Sequence, residues 1–376
     1  MHQMGKNNKL KKTVQELFAH ADVEINGNRS WDIQVHNPKF YARVLAEQSL
    51  GLGESYMDGW WDCERLDQFS YKVLSSGLRE KSKDPNLIWR VLKSKLINMQ
   101  SKLRSKIVGE KHYDLGNDLF ISMLDKRMTY SCGYWKDAKN LDAAQGAKLD
   151  LICKKLGLKK GDKILDIGCG WGNFLKYAAE KYGIKGVGIT ISKEQVKLAK
   201  ELCKGLDVEI RLQDYRDIEE KFDHIVSIGM IEHVGYKNYE TFMKKVKSLL
   251  KDDGLFLLHT IGNKGWIRGV DPWLLKYIFP NSMIPSAKQI TSAAEGLFIL
   301  QDLQNFGIYY DKTLMAWHAN FTKNWDKLKN RYDERFHRMW DYFLLSSAGN
   351  FRAFQLELWQ IVYSKNGLKE VYQAVR

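Results

Sequence analysis

The sequence predicts an α/β fold: a seven-stranded, largely parallel sheet with helices on both faces, joined to a smaller, mostly helical N-terminal domain. Three observations carry the prediction. From about residue 145, short apolar runs alternate with helix-spaced segments, as in a parallel sheet built from strand–helix units. The first of those runs, KILDIG, leads into the glycine-rich turn LDIGCGWG and then into a helix pattern. Residues 1–77, in contrast, are mostly helical in character and rich in aromatic residues.

Each element follows in order. KILDIG (163–168) reads as a buried strand and NFLKYAAEKYG (173–183) as a helix. GVGIT (186–190) is a second strand, EQVKLAKELCK (194–204) a helix and VEIRLQD (208–214) a third strand. DHIVSIG (223–229), the helix NYETFMKKVKSLL (238–250) and LFLLHTIG (255–262) continue the alternation. Then come an irregular aromatic insertion (262–296), a strand near FILQDLQNFG (298–307), helical segments, and a last strand, LELWQIVYSK (356–365), in a late antiparallel hairpin. Upstream, SLGLGESYMDGWWDCERLDQF (49–69) is distinctive, with glycines expected at turns and Trp60 and Trp61 beside acids. The expected division is an N-terminal domain at 1–77, a linker at 78–110 and a catalytic domain at 111–376.

Composition narrows the classes. The chain of 376 residues is 44% apolar, enough for a packed core and too much for disorder. No run approaches the roughly 20 apolar residues of a membrane span. The start, MHQMGKNNKLKK, is basic with no hydrophobic stretch after it, so no signal peptide is expected. Five cysteines without a CxxC pair suggest free thiols in a reducing cytoplasm, and nine histidines without ligand spacing suggest no metal. A net charge of +14 predicts an anionic partner, either nucleic acid or an acidic phospholipid surface. Between residues 78 and 107 nine Lys and Arg, from Arg79 to Lys106, face only Glu80 and Asp84. Ile88, Leu92, Leu96, Met99 and Leu103 recur there at helical spacing. This basic amphipathic segment either packs its apolar face on the next domain or touches a membrane.

Two stretches point to chemistry. LDIGCGWG spaces Asp166, Gly168, Gly170 and Gly172 as D-x-G-x-G-x-G between a strand and a helix, where the backbone can approach a ligand closely. A dinucleotide site would need G-x-G-x-x-G and an acid about 20 residues on; Thr190 stands at the end of the second strand instead. The motif resembles the glycine loop of the class I, Rossmann-like S-adenosylmethionine methyltransferases. GMIEHVG (229–235) puts Glu232 where an apolar strand has just stopped. Taken alone, Glu232 reads as a turn acid, Cys132 as a small buried hydrophobe and His259 as a core histidine.

The joint pattern reverses those readings. HYDLGNDLF (112–120), TYSCGYW (129–135), LDIGCGWG, TISKEQ (190–195), LQDYRD (212–217), GMIEHVG, LLHTIG (257–262), DPWLLKYIFPN (271–281), FGIYYDKTLMAW (306–317) and AGNFR (348–352) occur in this order. Together they resemble the cyclopropane-fatty-acyl-phospholipid synthases, relatives of the mycolic acid cyclopropane synthases, over nearly the whole chain. The resemblance implies transfer of a methylene from S-adenosylmethionine across a cis double bond of a phospholipid acyl chain. An alkene has no proton to remove beforehand, so its attack on the sulfonium methyl leaves a carbocation. That cation needs a dry pocket and aromatic faces, each contributing up to ~2 kcal/mol when desolvated. A base must then take one proton so the ring can close.

In the family that base is a bound bicarbonate ion. Its cage maps onto Cys132, Glu232, His259, the backbone of Ile261, and Tyr310. Glu232 would hold the ion through a shared proton, since two bare anions repel. The cofactor positions map onto Tyr130, Ser131, Gly168, Gly170, Thr190, Gln195, Gln213, Asp214 and Tyr215, with Asp214 at the adenine amino group. His233 reads as structural. Trp266, Trp273, Tyr277 and Phe279 of the insertion either line an acyl channel or cap a core edge. The resemblance also implies a lipid-engaging N-terminal domain, a homodimer and a peripheral position on the inner face of the cytoplasmic membrane. One position departs: many relatives have a cysteine before the Ala-Gly of AGNFR, and this chain has Ser347. Rival readings are methylation of an acyl chain, N-methylation of a small amine, a non-catalytic lipid binder, and a nucleic-acid-binding protein. The last lacks both a base-methylation motif of the Asn-Pro-Pro-Tyr type and a separate RNA module.

Overall fold

The structure, a computed structural model, describes residues 2–77, 116–265 and 270–376, with side chains from residue 8 onward in the first helix. The expected basic segment at 78–110, the start of HYDLGNDLF and Trp266 lie outside the described residues. Two compact units emerge. One draws on 2–77, 270–280 and 310–356, the other on 116–265, 281–309 and 357–376.

The first unit is helical, built on His2–Ala19, Lys39–Met57, Leu66–Ser75 and Glu334–Arg352, with a small antiparallel pair, β1 (Gln34–Val35) and β2 (Trp61–Asp62). Chain order assigned 310–356 to the catalytic domain, but here its long helix Glu334–Arg352 packs along Leu66–Ser75. Asp333 starts that helix by accepting the Phe336 amide at 2.8 Å. Buried aromatics form the core: Trp61 meets Phe69 at 5.3 Å and Tyr56 at 5.0 Å, and Trp273 meets Tyr342 at 4.7 Å. Trp273 is a core residue, its indole N–H donating to the Met57 sulfur at 3.2 Å. Tyr277 donates to Glu54 at 2.8 Å, and Phe279 packs edge-on to Phe343. The aromatic stretch is also less irregular than its sequence suggests, since Pro272–Tyr277 and Ala287–Ala294 are short helices.

The glycines of GLGESYMDGWW do not all sit at turns. Gly51 and Gly53 lie inside the Lys39–Met57 helix, and a Cβ at Gly53 would stand 2.5 Å from the Trp273 ring. Close packing, not chain reversal, requires a small residue there. Gly59 does occupy a turn.

The second unit holds the sheet. Its strands are β3 (Lys163–Ile167), β4 (Lys185–Thr190), β5 (Val208–Leu212), β6 (Phe222–Ile228), β7 (Leu250–Asn263), β8 (Ile299–Asn305) and β9 (Leu356–Ser364). The order across the sheet is β5-β4-β3-β6-β7-β9-β8. The β5–β4, β4–β3, β3–β6 and β6–β7 pairs are parallel, and β8–β9 is antiparallel. Alternate side chains feed two cores. Leu165, Ile225, Phe256 and Leu258 meet Phe242, Met243 and Val246 of the Tyr239–Leu249 helix. Ile164, Val226 and Leu257 meet Leu149, Ile152 and Leu156 of the Leu141–Leu156 helix. Strand order reverses between β3 and β6, where an open α/β sheet forms a crevice at the carboxyl ends. No helix among the described residues is long and apolar enough to cross a membrane.

Gly349 explains one of the quoted motifs. A Cβ there would lie 2.6 Å from the Asp67 carbonyl oxygen and 2.7 Å from the Tyr71 amide nitrogen. Backbone cannot swing aside as a side chain can, so any side chain pushes the two helices apart. Gly349→Val is expected to destabilise the protein by about 3 kcal/mol or more. Urea unfolding would show it as a lower midpoint; an unchanged midpoint would mean the helices do not meet this closely.

Candidate active site

The crevice is floored by the turn after β3. Gly168, Gly170 and Gly172 all take positive φ, and the Asn173–Tyr182 helix starts directly behind them. At Gly170 (φ 55°) a Cβ would meet nothing within 4 Å. It would enter the cavity that this residue lines, so the glycine keeps both the turn and the space. All nine positions expected to hold the cofactor, Tyr130, Ser131, Gly168, Gly170, Thr190, Gln195, Gln213, Asp214 and Tyr215, line this one cavity. Their polar groups are partly engaged with each other. Thr190 donates its hydroxyl to Gln195 Oε1 at 2.7 Å. Asp214 takes Arg216 bidentately, at 2.8 and 2.6 Å, so a ligand amino group would use the remaining lone pairs of that carboxylate.

Asp166 also lines the cavity from the end of β3. Burial pushes its carboxyl up to about 7, with Lys148 opposing, and Oδ1 finds no partner among the described residues. His233 lies on the cavity wall, where burial pushes its imidazole down to about 4, so it is neutral at physiological pH.

Beside the cavity, adjacent strands set out a second group. In the β6–β7 ladder Ile228 faces His259, and Glu232 sits on the single turn Ile231–His233 that follows β6. Glu232 Oε1 accepts the Ile261 amide of β7 at 2.8 Å. Its Oε2 has no partner among the described residues. Burial pushes the carboxyl up to about 7; the Ile261 N–H pulls the other way. His259 is buried and held well below the usual imidazole range, by burial first and by Lys148 and Lys155 after it. Gln360 on β9 places its amide nitrogen 3.3 Å from His259 Nδ1. With Nδ1 accepting, the proton of the neutral ring sits on Nε2, an N–H without a partner among the described residues. Cys132 is fully buried next to Ser131, its thiol 3.2 Å from the Gly133 carbonyl.

Two expectations need revision. The Ile261 amide, expected to face a bound ion, faces the Glu232 carboxyl; in a low-dielectric site an acceptor that near claims the donor. Tyr310 belongs to the first unit, where its ring packs on Phe351 at 4.6 Å and Trp317 at 6.0 Å. Lys148, Gln360 and Arg216 were missed. Gln360 is a polar residue inside an apolar strand, and Lys148 falls on the inward spacing of Leu141, Ala144, Gln145, Leu149 and Ile152. Those out-of-place positions were the available signal.

The strand order, the glycine turn after the first sheet strand and the cavity at the switch point define a class I methyltransferase. The chain belongs to the family described as mycolic acid cyclopropane synthetase, which matches residues 100–361. The cyclopropane-fatty-acyl-phospholipid synthase of Escherichia coli strain K12 is 54% identical over 363 residues, covering 95% of this chain and 94% of that protein. Among solved structures, the mycolic acid cyclopropane synthase CmaA1 complexed with SAH and CTAB aligns with a TM-score of 0.63 at 32% identity, over 69% of this chain and 98% of that one. Coclaurine N-methyltransferase aligns at 0.71 with 23% identity, over 84% and 99%, and shares the fold.

The Glu232 carboxyl carries a stability signature. Its folded value of about 7 lies above the ordinary 4.5, so the folded state binds the proton more tightly than the unfolded chain. That contribution is complete below about pH 4.5 and is lost as pH rises to about 7. Relative to Glu232→Gln, the wild type is expected to lose on the order of 1–3 kcal/mol between pH 5 and pH 8. Urea titrations of both proteins at the two pH values measure this difference; parallel curves would mean that Glu232 is ionised throughout.

Proposed function

We propose that the protein transfers a methylene group from S-adenosylmethionine across the cis double bond of an unsaturated acyl chain in a membrane phospholipid, forming a cyclopropane ring. One observation carries the reading. A glycine-floored cavity lies in the same unit as a buried, protonatable Glu232 and a neutral His259, each with an outer atom that lacks a partner among the described residues. The name of the 54% identical relative, which spans nearly the same length, supports the same chemistry.

The cavity fits the cofactor: a Cβ at Gly170 would stand in its open space, and all nine expected positions line it. The nine lining residues named above would hold S-adenosylmethionine, which when bound supplies the electrophilic methyl. Glu232 Oε2 and His259 Nε2 would hold a small oxyanion, and bicarbonate held there, with Cys132 of the same unit in its shell, would supply the base. The chain's own groups set the rest. A carboxyl at about 7 holds its proton in half the molecules at neutral pH, so it can face an anion without two bare charges meeting. The Nε2–H of His259 donates without adding a cation that would repel the one on the acyl chain. Bound S-adenosylmethionine would supply the methyl carbon to the alkene, with the carbon–sulfur electrons going to the departing thioether, and bicarbonate beside Glu232 and His259 would take the one proton whose loss lets the ring close. Burial of Glu232 and His259 keeps out water that would capture the cation as an alcohol.

The N-terminal domain and the basic segment at 78–110 would bring the enzyme, as a homodimer, to the anionic inner face of the cytoplasmic membrane. The charge of +14 supports this part of the reading.

Purified protein given methyl-deuterated S-adenosylmethionine, bicarbonate and vesicles of a cis-monounsaturated anionic phospholipid is expected to yield acyl chains heavier by one CD2 unit and resistant to hydrogenation. An intact CD3 would show methyl transfer without ring closure, and unchanged lipid would favour a small-amine acceptor. Glu232→Gln and His259→Ala are each expected to lower turnover about 100-fold or more. Cofactor binding, read by calorimetry, should persist in both; its loss would sink these roles.

A further inference from the structure

The Leu141–Leu156 helix brings a cation to the wall of the cavity. Lys148 is 1% exposed, and its Nζ donates to the Ser131 hydroxyl oxygen at 3.0 Å. It makes no ion pair among the described residues. Asp125, the nearest candidate by charge, is engaged by the amides of Thr129 and Arg127 at 2.7 and 3.1 Å. Gln145, one turn earlier on the same helix, donates to the Ser131 carbonyl at 2.7 Å. The helix thus grips Ser131 by side chain and by backbone.

The direction of the Lys148 bond matters. An ammonium has three donors and no acceptor. Ser131 Oγ must accept from it, which turns the hydroxyl proton away from Lys148. Ser131 lines the cavity, so the hydroxyl is left as a donor toward whatever fills that space.

The charges around the cavity say what that would be. The charged side chains on its wall are Asp166, Asp214 and Arg216, and Arg216 is committed to Asp214 by two hydrogen bonds. An anionic group on a ligand therefore finds no uncommitted cation on the wall among the described residues. The available positive charge sits one residue behind, at Lys148. S-adenosylmethionine has one anionic group, the carboxylate of its amino-acid end.

We propose that Lys148 is a positioning residue that fixes Ser131 as the hydroxyl donor to the cofactor carboxylate and backs that contact with buried positive charge. The inference rests on the cofactor reading above and extends it to a residue outside the motifs.

Calorimetry without lipid tests it, using S-adenosylmethionine and its decarboxylated analogue, which differ only in the carboxylate. In Lys148→Met the affinity for S-adenosylmethionine should fall about tenfold or more, while the affinity for the decarboxylated analogue stays within about twofold. Ser131→Ala, which leaves the lysine in place, should show the same selective loss and serves if Lys148→Met does not fold. An equal loss for both ligands would mean a structural role only, and an unchanged affinity for both would mean no role; either overturns the proposal. A wild-type protein that binds neither ligand would instead overturn the cofactor reading, and this one with it.

Discussion

A carboxyl group buried without a cation beside it keeps its proton more tightly, and the site is organised around that constraint. Glu232 is fixed by a backbone amide, the N–H of Ile261, which orients it but brings no net charge to stabilise the carboxylate. The parallel register of β6 and β7 makes the contact possible. It sets Ile228 opposite His259, so the turn just beyond the end of β6 meets the last residues of the longer β7. Asp166 on the neighbouring β3 is raised in the same way, burial outweighing the opposing pull of Lys148. Two carboxyls that titrate near neutrality and two imidazoles that stay uncharged leave little fixed charge in the region, apart from Lys148, Lys155 with its Asp302 partner, and the closed Asp214–Arg216 pair. The chemistry proposed above, through a cationic intermediate, would call for such a setting, because a fixed anion nearby would trap the cation and a fixed cation would repel it.

Much of this was legible in the sequence, for identifiable reasons. Strands buried on both faces must be continuous apolar runs, so β3, β4 and β6 could be read almost to the residue. The glycine turn announced its cavity because L side chains rarely adopt its backbone angles. Glu232 stood out as a charge at the end of such a run. Lys148 and Gln360 did not, since a polar residue within a helix or strand pattern shows its inward face only once packing is known. The Ile261 amide was assigned to an ion because sequence carries no record of which acceptor a backbone N–H finds. Gly53 was read as a turn residue because glycine signals close packing and chain reversal by the same letter; the Trp273 ring that demands it lies far along the chain.

The first unit shows the limit of chain-order reasoning. Its segments at 2–77, 270–280 and 310–356 are separated by the whole parallel sheet, and no local pattern joins them. What joins them is charge and close packing. Arg352 reaches Asp67 at 2.8 Å and grips Asp311 through two nitrogens, at 2.9 and 2.8 Å, while Asp67 also takes Arg65. Asp67 is nearly solvent-free, so each guanidinium compensates a carboxylate that would otherwise be costly to bury.

That linkage has a consequence for synthesis on the ribosome. Asp67 and Arg352 are 285 positions apart. At about 5–20 residues per second, the N-terminal helices emerge roughly 15 s to a minute before their partner exists. During that interval the apolar side of Leu66–Ser75, with Phe69 at its centre, has nothing from this helix to cover it, and the Asp67 carboxylate lacks its Arg352 partner. The nascent N-terminal region would therefore be a natural client for chaperones, waiting half-built until the last hundred residues arrive to close it.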